Sequence, residues 1–272
     1  MRIPPASLTL WSVLAGLLCA QPPDPARDAE QADFLRKAEL VQSSRLRQGV
    51  TKSRRATLRR GTQVHEAHIQ TVDQGGVLNS ALNLEPGFTD SYRYNLAAFA
   101  LDRLLGLGMI PVTVERTFHD APASYTWWVD DSVMDEKTRQ ARHIRPPNSA
   151  DWNHQVYLMK VFDQLIYNVD RNTGNLLIDK RWKLWMIDHT RAFRTWKQIH
   201  EPENVVRCDR ELLERLRRLD GGVVRERLSP WLQADQIDAL LVRRDLIVKA
   251  IDDLAAQKGE AAVLYDYLRK AP

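Results

Sequence analysis

Cysteine is nearly absent from this chain. Its 272 residues include two, Cys19 and Cys208, which excludes a disulfide framework and a zinc site built on thiolates. Glycine is sparse, with 12 residues, and none of them cluster into a Gly-rich phosphate loop. Charge of one sign has little excess. Lys and Arg number 39 against 35 Asp and Glu, and the resulting +4 is too small to argue for nucleic acid. A helix-turn-helix reader would need a compact turn and a basic recognition face, and neither is present. There is no internal repeat and no Ser-His-Asp signature. Beyond residue 20 no apolar run is long enough to cross a membrane. What remains is an ordinary globular composition, long enough for one large domain or for two lobes sharing a cleft.

The one long apolar run lies at the start. Arg2 makes a minimal charged region, residues 6–18 are apolar, and Ala20 is a small residue before the prolines at 22, 23 and 25. The pattern predicts a signal peptide over 1–20 and an exported protein, periplasmic or extracellular, with a cytoplasmic one as the alternative. Cys19 raises lipid anchoring, but Leu18 fits a lipoprotein cleavage box poorly. Cutting after Ala20 leaves Cys208 without an intrachain partner and leaves no membrane span.

Residues 156–194 organise the rest. Leu158, Phe162, Leu165 and Ile166 recur at helical spacing. A breaker-rich loop follows over 168–174, and then the short apolar runs 176–178 and 184–187 flank Asp179-Lys180-Arg181 as a hairpin. Asp170 and Asn175 therefore sit on a loop before the hairpin and Asp188 just after it. Asn168, Asp170 and Asn172 alternate like calcium ligands, but the glycine falls one place late and the closing Glu is missing. The D-x-x-x-x-N spacing of Asp170 and Asn175 is instead that of a kinase catalytic loop, where the Asp acts on a hydroxyl and the Asn binds Mg²⁺. Asp188 stands where a second metal-binding Asp is needed.

The run Asp170-Arg171-Asn172-Thr173-Gly174-Asn175-Leu176-Leu177-Ile178-Asp179 with Ile187-Asp188-His189 resembles the catalytic and metal loops of the phosphatidylinositol 3/4-kinase-like atypical kinases. The HipA-like and secretory-pathway protein kinases share this broader group. Asn172 stands where those families often have His. The resemblance implies an α+β, two-lobed protein-kinase-like fold with a strand-rich N-lobe over 49–130 and a helical C-lobe over 131–272. Residues 21–48 read as a charged helix and linker, with the helix over 31–47. The resemblance also implies ATP with Mg²⁺, or Mn²⁺, as cofactors. Asp170 is then the group acting on a substrate hydroxyl, and Asn175 and Asp188 are the metal ligands. The hydroxyl could belong to a protein, a lipid or a small molecule.

The N-lobe departs from that family. Residues 49–62 read as a strand–turn–strand in the place of the phosphate-covering loop, with Lys52 and Arg54 toward phosphates. The alternating stretch 64–72 should present a phosphate-pairing Lys and has none; His68 and Gln70 occupy its cleft-side face, and Gln70 is the candidate cofactor contact there. The next helix is expected over 90–107, with Leu96, Phe99, Ala100, Leu104 and Leu107 on one face and Gly106 and Gly108 stopping it. Its expected acid is Asn95. Trp128 leads into the hinge as a candidate purine shelf, and 132–150 reads as a linker with a short helix. Arg191, Arg194 and Lys197 make the loop after Asp188 basic. Of the C-terminal helices, one carries Leu212, Leu213, Leu216 and Leu219 and ends at Gly221-Gly222. Two functions therefore stand open: a phosphotransferase, or a pseudokinase that binds a nucleotide or a partner without transfer.

Overall fold

The computed structural model describes residues 23–46, 53–75 and 87–270. The leader 1–20 and Lys52 lie outside them. Helix α1 (Pro25–Lys37) is started by Asp24, whose carboxylate accepts from the amides of Ala26 at 3.0 Å and Arg27 at 3.3 Å, with Pro25 at the first helical position. Phe34 and Leu35 pin it to a five-stranded antiparallel sheet of order β1-β2-β3-β7-β6. The strands are β1 (Glu39–Arg45), β2 (Arg54–Arg60), β3 (Gln63–Gln70), β6 (Thr113–Phe118) and β7 (Ala121–Trp127). Two short strands, β4 (Asp73–Gly75) and β5 (Thr89–Ser91), pair apart from it. The reading of 31–47 as one helix is corrected here. The helix stops at Lys37 and residues 39–45 form the edge strand β1 along β2. That stretch has no apolar helical stripe, and pairing with β2 outweighs its weak local preference.

The sheet sorts its side chains by the period of two that an extended chain imposes. Along β3, Ala67 and Ile69 enter a small core with Leu58, Val114 and Tyr125. His68 and Gln70 take the opposite face, toward the second lobe. Helix α2 (Arg93–Leu104) lies between the lobes and is covered on both sides. Leu96 of the expected face is buried together with Ala97, Ala98, Leu101 and Asp102 from outside it, while Phe99, Ala100 and Leu104 are half-buried, so the expected single face is corrected to two. Gly106 and Gly108 stop it as expected, both with φ above 60°, where a Cβ is disfavoured. The amides of Gly108 and Met109 then fold back onto the fully buried Asp102 carboxylate.

The second lobe is mainly helical. The 132–150 stretch is more ordered than a linker: β8 (Ser132–Asp135) runs straight into α3 (Glu136–Ala141), which Asp135 caps. Helix α4 (Ser149–Ile166) buries the four residues that predicted it, Leu158, Phe162, Leu165 and Ile166. The hairpin follows as β9 (Leu176–Asp179) and β10 (Leu184–Met186), and β8 adds to β9 as a third strand. The Met186 amide donates to the Met109 carbonyl at 2.8 Å, which stitches the hairpin to the turn after α2. A two-residue ladder, β11 (Cys208–Asp209) with β12 (Leu264–Tyr265), closes the chain's end against α5 (Arg210–Arg218). Gly221-Gly222 opens α6 (Gly221–Leu228) rather than merely ending α5, because the Asp220 carboxylate caps the Val223 amide. In α7 (Ala234–Lys258) the fully buried Arg243 donates to the carbonyls of Leu165 and Arg194, and so ties this helix to α4 and to the loop after Asp188. A four-residue helix, α8 (Glu260–Val263), follows it.

Candidate active site

The site is built by the end of α4 and by the hairpin. Tyr167 ends the helix in the left-handed region, with φ 52°. The Asn168 side-chain Nδ2 then donates to the Asp163 carboxylate at 2.9 Å, and its Oδ1 accepts from the Asp170 backbone N–H at 3.1 Å. Arg171 clamps the loop from within. Its Nε and Nη2 take both Asp163 carboxylate oxygens at 2.8 and 2.9 Å, and its Nη1 reaches the carbonyls of Asn175 and Ile187 at 3.2 and 3.0 Å. Asn172 caps the short turn Thr173–Asn175. The Ile187 amide donates to the Asn175 carbonyl at 3.1 Å, so the hairpin returns Asp188 beside Asn175. Asp188 itself has φ 56°, a conformation rare for a side-chain-bearing residue and common at functional turns.

Asp170, Asn175 and Asp188 line one cavity of about 1340 Å³, which also reaches His68, Asp90 and Trp128. Trp128, expected near the hinge, lines this cavity with the Arg55 guanidinium 4.3 Å from its ring. Two expected contacts are corrected. Arg54 does not line the cavity; its guanidinium turns to the edge strand and donates to the Ser43 hydroxyl and carbonyl at 3.0 to 3.2 Å. Gln70 does not face the cavity either. It is buried behind it, with its Nε2 donating to Asp188 Oδ1 at 2.9 Å and its Oε1 accepting from Asn95 Nδ2 at 2.6 Å. Asn95 in turn accepts from the His189 amide at 2.8 Å. A neutral amide pair thus fills the place where the resemblance implies a Lys–acid ion pair. It completes its hydrogen bonds inside the protein and carries no charge into a buried position.

Asp90 and Lys137 were not singled out by the sequence, and Arg191 was named there only for making its loop basic. Asp90 on β5 is buried in the cavity wall. Burial raises its carboxyl above the usual carboxylate range; a hydrogen bond from Thr190 opposes this and the Asp188 charge adds to it. No local pattern marks it, because Thr89-Asp90-Ser91 reads as the start of a helix. Arg191 lies 3.8 Å from Asp170 and 5.2 Å from the Phe88 ring, and Lys137 is, among the described residues, the other Lys or Arg on the cavity wall. Arg194, expected to make the loop basic, is buried against the Thr89 hydroxyl at 2.9 Å, and Lys197 stays exposed outside the cavity. Burial holds the His68 imidazole below its usual range against the pull of Asp188.

Among the described residues no three His, Cys, Asp or Glu side chains form a ready metal cluster. The donors present are nonetheless of the right class. Asp188 and Asn175 are hard oxygen ligands, and Asp90 Oδ1 is buried with no hydrogen-bond partner. Such a set suits Mg²⁺ or Mn²⁺, which complete their coordination with water and phosphate oxygens.

No family model matches the chain, and no curated protein sequence matches it. Solved structures do. Hydra Fam20, determined with a sugar, matches with a TM-score of 0.67 at 15% identity over 89% of this chain and 93% of its own. The Golgi casein kinase with Mn/ADP bound matches at 0.65 and 15% over 90% and 80%. The Helicobacter pylori proinflammatory kinase CtkA matches at 0.51 and 12% over 84% and 98%. The fold is that of an atypical kinase. These likenesses widen the expectation: they support the atypical kinase fold and do not single out its phosphatidylinositol 3/4-kinase-like or HipA-like branch.

Proposed function

We propose that this chain is a nucleotide- and divalent-metal-dependent phosphotransferase acting on a hydroxyl. The observation that carries the reading is the convergence of Asp170, Asn175 and Asp188 on one cavity, held by the Arg171 clamp and the hairpin register. The Golgi casein kinase of the same fold binds Mn/ADP, which supports ATP with Mg²⁺ or Mn²⁺ as the cofactors here. When bound, the cation neutralises charge on the transferring phosphoryl group. The chain's residues do the rest. Asn175 and Asp188 supply oxygens to the cation. Asp170 orients the acceptor hydroxyl and takes its proton as the acceptor oxygen bonds to the γ-phosphorus and the bond to the nucleotide breaks. The Asp188 orientation is fixed by Gln70 and by Thr190, whose hydroxyl donates to it at 3.2 Å.

A second reading is nucleotide binding without transfer. It is favoured by the Gln70–Asn95 pair, which leaves β3 with no fixed positive charge toward the phosphates. Calorimetric titration of Mg²⁺-ATP, with a phosphate-transfer assay on candidate hydroxyl substrates, separates the two. Asp188→Asn is expected to weaken metal-dependent binding. Asp170→Asn is expected to bind normally and lose transfer. A parent that binds Mg²⁺-ATP and transfers to none of them puts the second reading first; a parent that binds no nucleotide refutes both.

We also propose export. No helix among the described residues is long and apolar enough to cross a membrane. N-terminal sequencing from the native host should begin near Gln21, and an intact Met1 in the cytosol would refute it.

A further inference from the structure

The outer side of α4 carries a pair of cations that the reading above does not use. His154, Tyr157 and Lys160 recur every three residues and so share one face of the helix. None of them lines the catalytic cavity. Arg207, just before β11, reaches this face. Its guanidinium carbon lies 5.6 Å from the centre of the Tyr157 ring and 5.6 Å from that of Tyr265. Tyr265 on β12 is itself fixed. Its hydroxyl donates to the His154 carbonyl at 2.9 Å, and its ring stacks on the His154 imidazole at 4.2 Å. The two tyrosines thus hold the guanidinium in one place, and their faces attract its charge.

The charge is held but not neutralised. Among the described residues no hydrogen bond or ion pair reaches Arg207, and its buried Nε has no acceptor. A ring face attracts a cation but offers no oxygen to the in-plane N–H groups. The nearby acids are engaged elsewhere. Asp209 accepts from the backbone amides of Glu211, Leu212, Tyr267 and Leu268. Glu260 and Asp266 face Arg210. Glu203, four residues before Arg207, is exposed and pairs with neither cation. Half-buried Lys160 stands one turn along α4 from Tyr157 and, among the described residues, also lacks an ion-pair partner.

We propose that Arg207 and Lys160 bind a phosphate group on the outer face of α4, with Tyr157 and Tyr265 as the walls of the site. Arg207 is half-buried and its Nε is the buried end, so the Nη end is what meets the ligand. Two fixed positive charges favour a dianion over a carboxylate, and a phosphate has oxygens enough for the N–H donors of both. The aromatic walls keep water from one side of the guanidinium, which strengthens each charge-assisted bond. A free phosphate and a phosphorylated side chain share this chemistry. The site is separate from the catalytic cavity, and the inference does not rest on the phosphotransferase reading.

The test uses the full chain with inorganic phosphate, N-acetyl-phosphoserine amide or acetate, each against chloride at the same ionic strength. The rise in melting temperature along each titration gives the affinity. The parent is compared with Arg207→Met, Lys160→Met and Lys137→Met, the last standing for the catalytic cavity. The parent is expected to gain stability with both phosphate probes and not with acetate, and the tighter probe names the source. Arg207→Met is expected to lose at least about tenfold in affinity, Lys160→Met about threefold, and Lys137→Met less than about twofold. Phosphate also stabilises proteins by exclusion from their surfaces, a gain that every variant shares. Equal gains in all four chains would therefore overturn the inference. A loss confined to Lys137→Met would put the anion in the cavity and overturn it too, as would acetate matching phosphate or a parent that gains nothing. Should Arg207→Met fail to fold, Arg207→Lys decides, because it keeps the charge and loses the fork. An Arg207→Lys chain that binds phosphate as tightly as the parent would overturn the inference.

Discussion

Removing the Arg171 side chain tests whether the loop clamp is what holds the site. Arg171 and Asp163 are almost fully buried, with 11% and 5% of their side-chain surfaces exposed, so solvent screens the pair little. Arg171→Met keeps the apolar stem and deletes four hydrogen bonds, two of them to the Asp163 carboxylate. Asp163 is left buried with Asn168 as its remaining side-chain donor. Breaking a buried pair from one side costs about 3–5 kcal/mol, because the surviving charge has no compensation. That is a large share of the roughly 5–15 kcal/mol that holds a typical domain together. The melting temperature of a chain this long should fall by roughly 10 °C. Urea unfolding followed by tryptophan fluorescence reads the change. The double variant Asp163→Asn with Arg171→Met removes both charges and should recover about half of the loss or more. Metal-dependent nucleotide affinity should fall in Arg171→Met at temperatures where the chain is folded, since the Arg171 Nη1 fixes the carbonyls of Asn175 and Ile187 on either side of the ligand pair. A loss below about 1 kcal/mol, within the range of an exposed pair, would refute the reasoning. So would a double variant that is no better than the single one.

Two other outcomes follow from the geometry. Arg54→Ala should leave nucleotide affinity within about twofold of the parent, because the guanidinium faces Ser43 and not the cavity; a tenfold loss in calorimetry would return Arg54 to the site. Lys183, over the Trp185 ring at 3.7 Å, has its ammonium pushed down to about 8 by burial, with Asp102 opposing. Its folded value lies below the free one, so its contribution to stability is fully present above about 10.5, the free-lysine value, and is lost as pH falls through about 8. Unfolding free energies at pH 7 and pH 9.5 for the parent and Lys183→Met should show the parent gaining more with rising pH; parallel profiles would contradict the assignment.

Where the reading of the sequence succeeded, the signal was local. The breakers at 168–174 and the apolar runs on either side of Asp179-Lys180-Arg181 give a loop and a hairpin, and chain geometry alone then brings Asp188 back to Asn175. The alternation of β3 is also local, and it assigns Ala67 and Ile69 to the core and His68 and Gln70 to the opposite face. Where it failed, the deciding partner was far away in the sequence. Residues 39–45 become a strand because β2 supplies an edge, and Arg54 turns away because that same edge offers Ser43.

Composition fixes the inventory of the site: no lysine on β3, no acid at position 95, and an Asp-Asn-Asp set around the hairpin. The tertiary structure decided what those residues do. Gln70 meets Asp188 across 118 positions, and Asn95 meets the His189 amide across 94. A periodic pattern reports only which face of an element is buried. It cannot say which buried polar groups find each other, because that depends on how two lobes dock. Asp90 shows the same limit: its burial, its shared hydroxyl and its unpartnered oxygen exist only once β5 lies against the segment after Asp188.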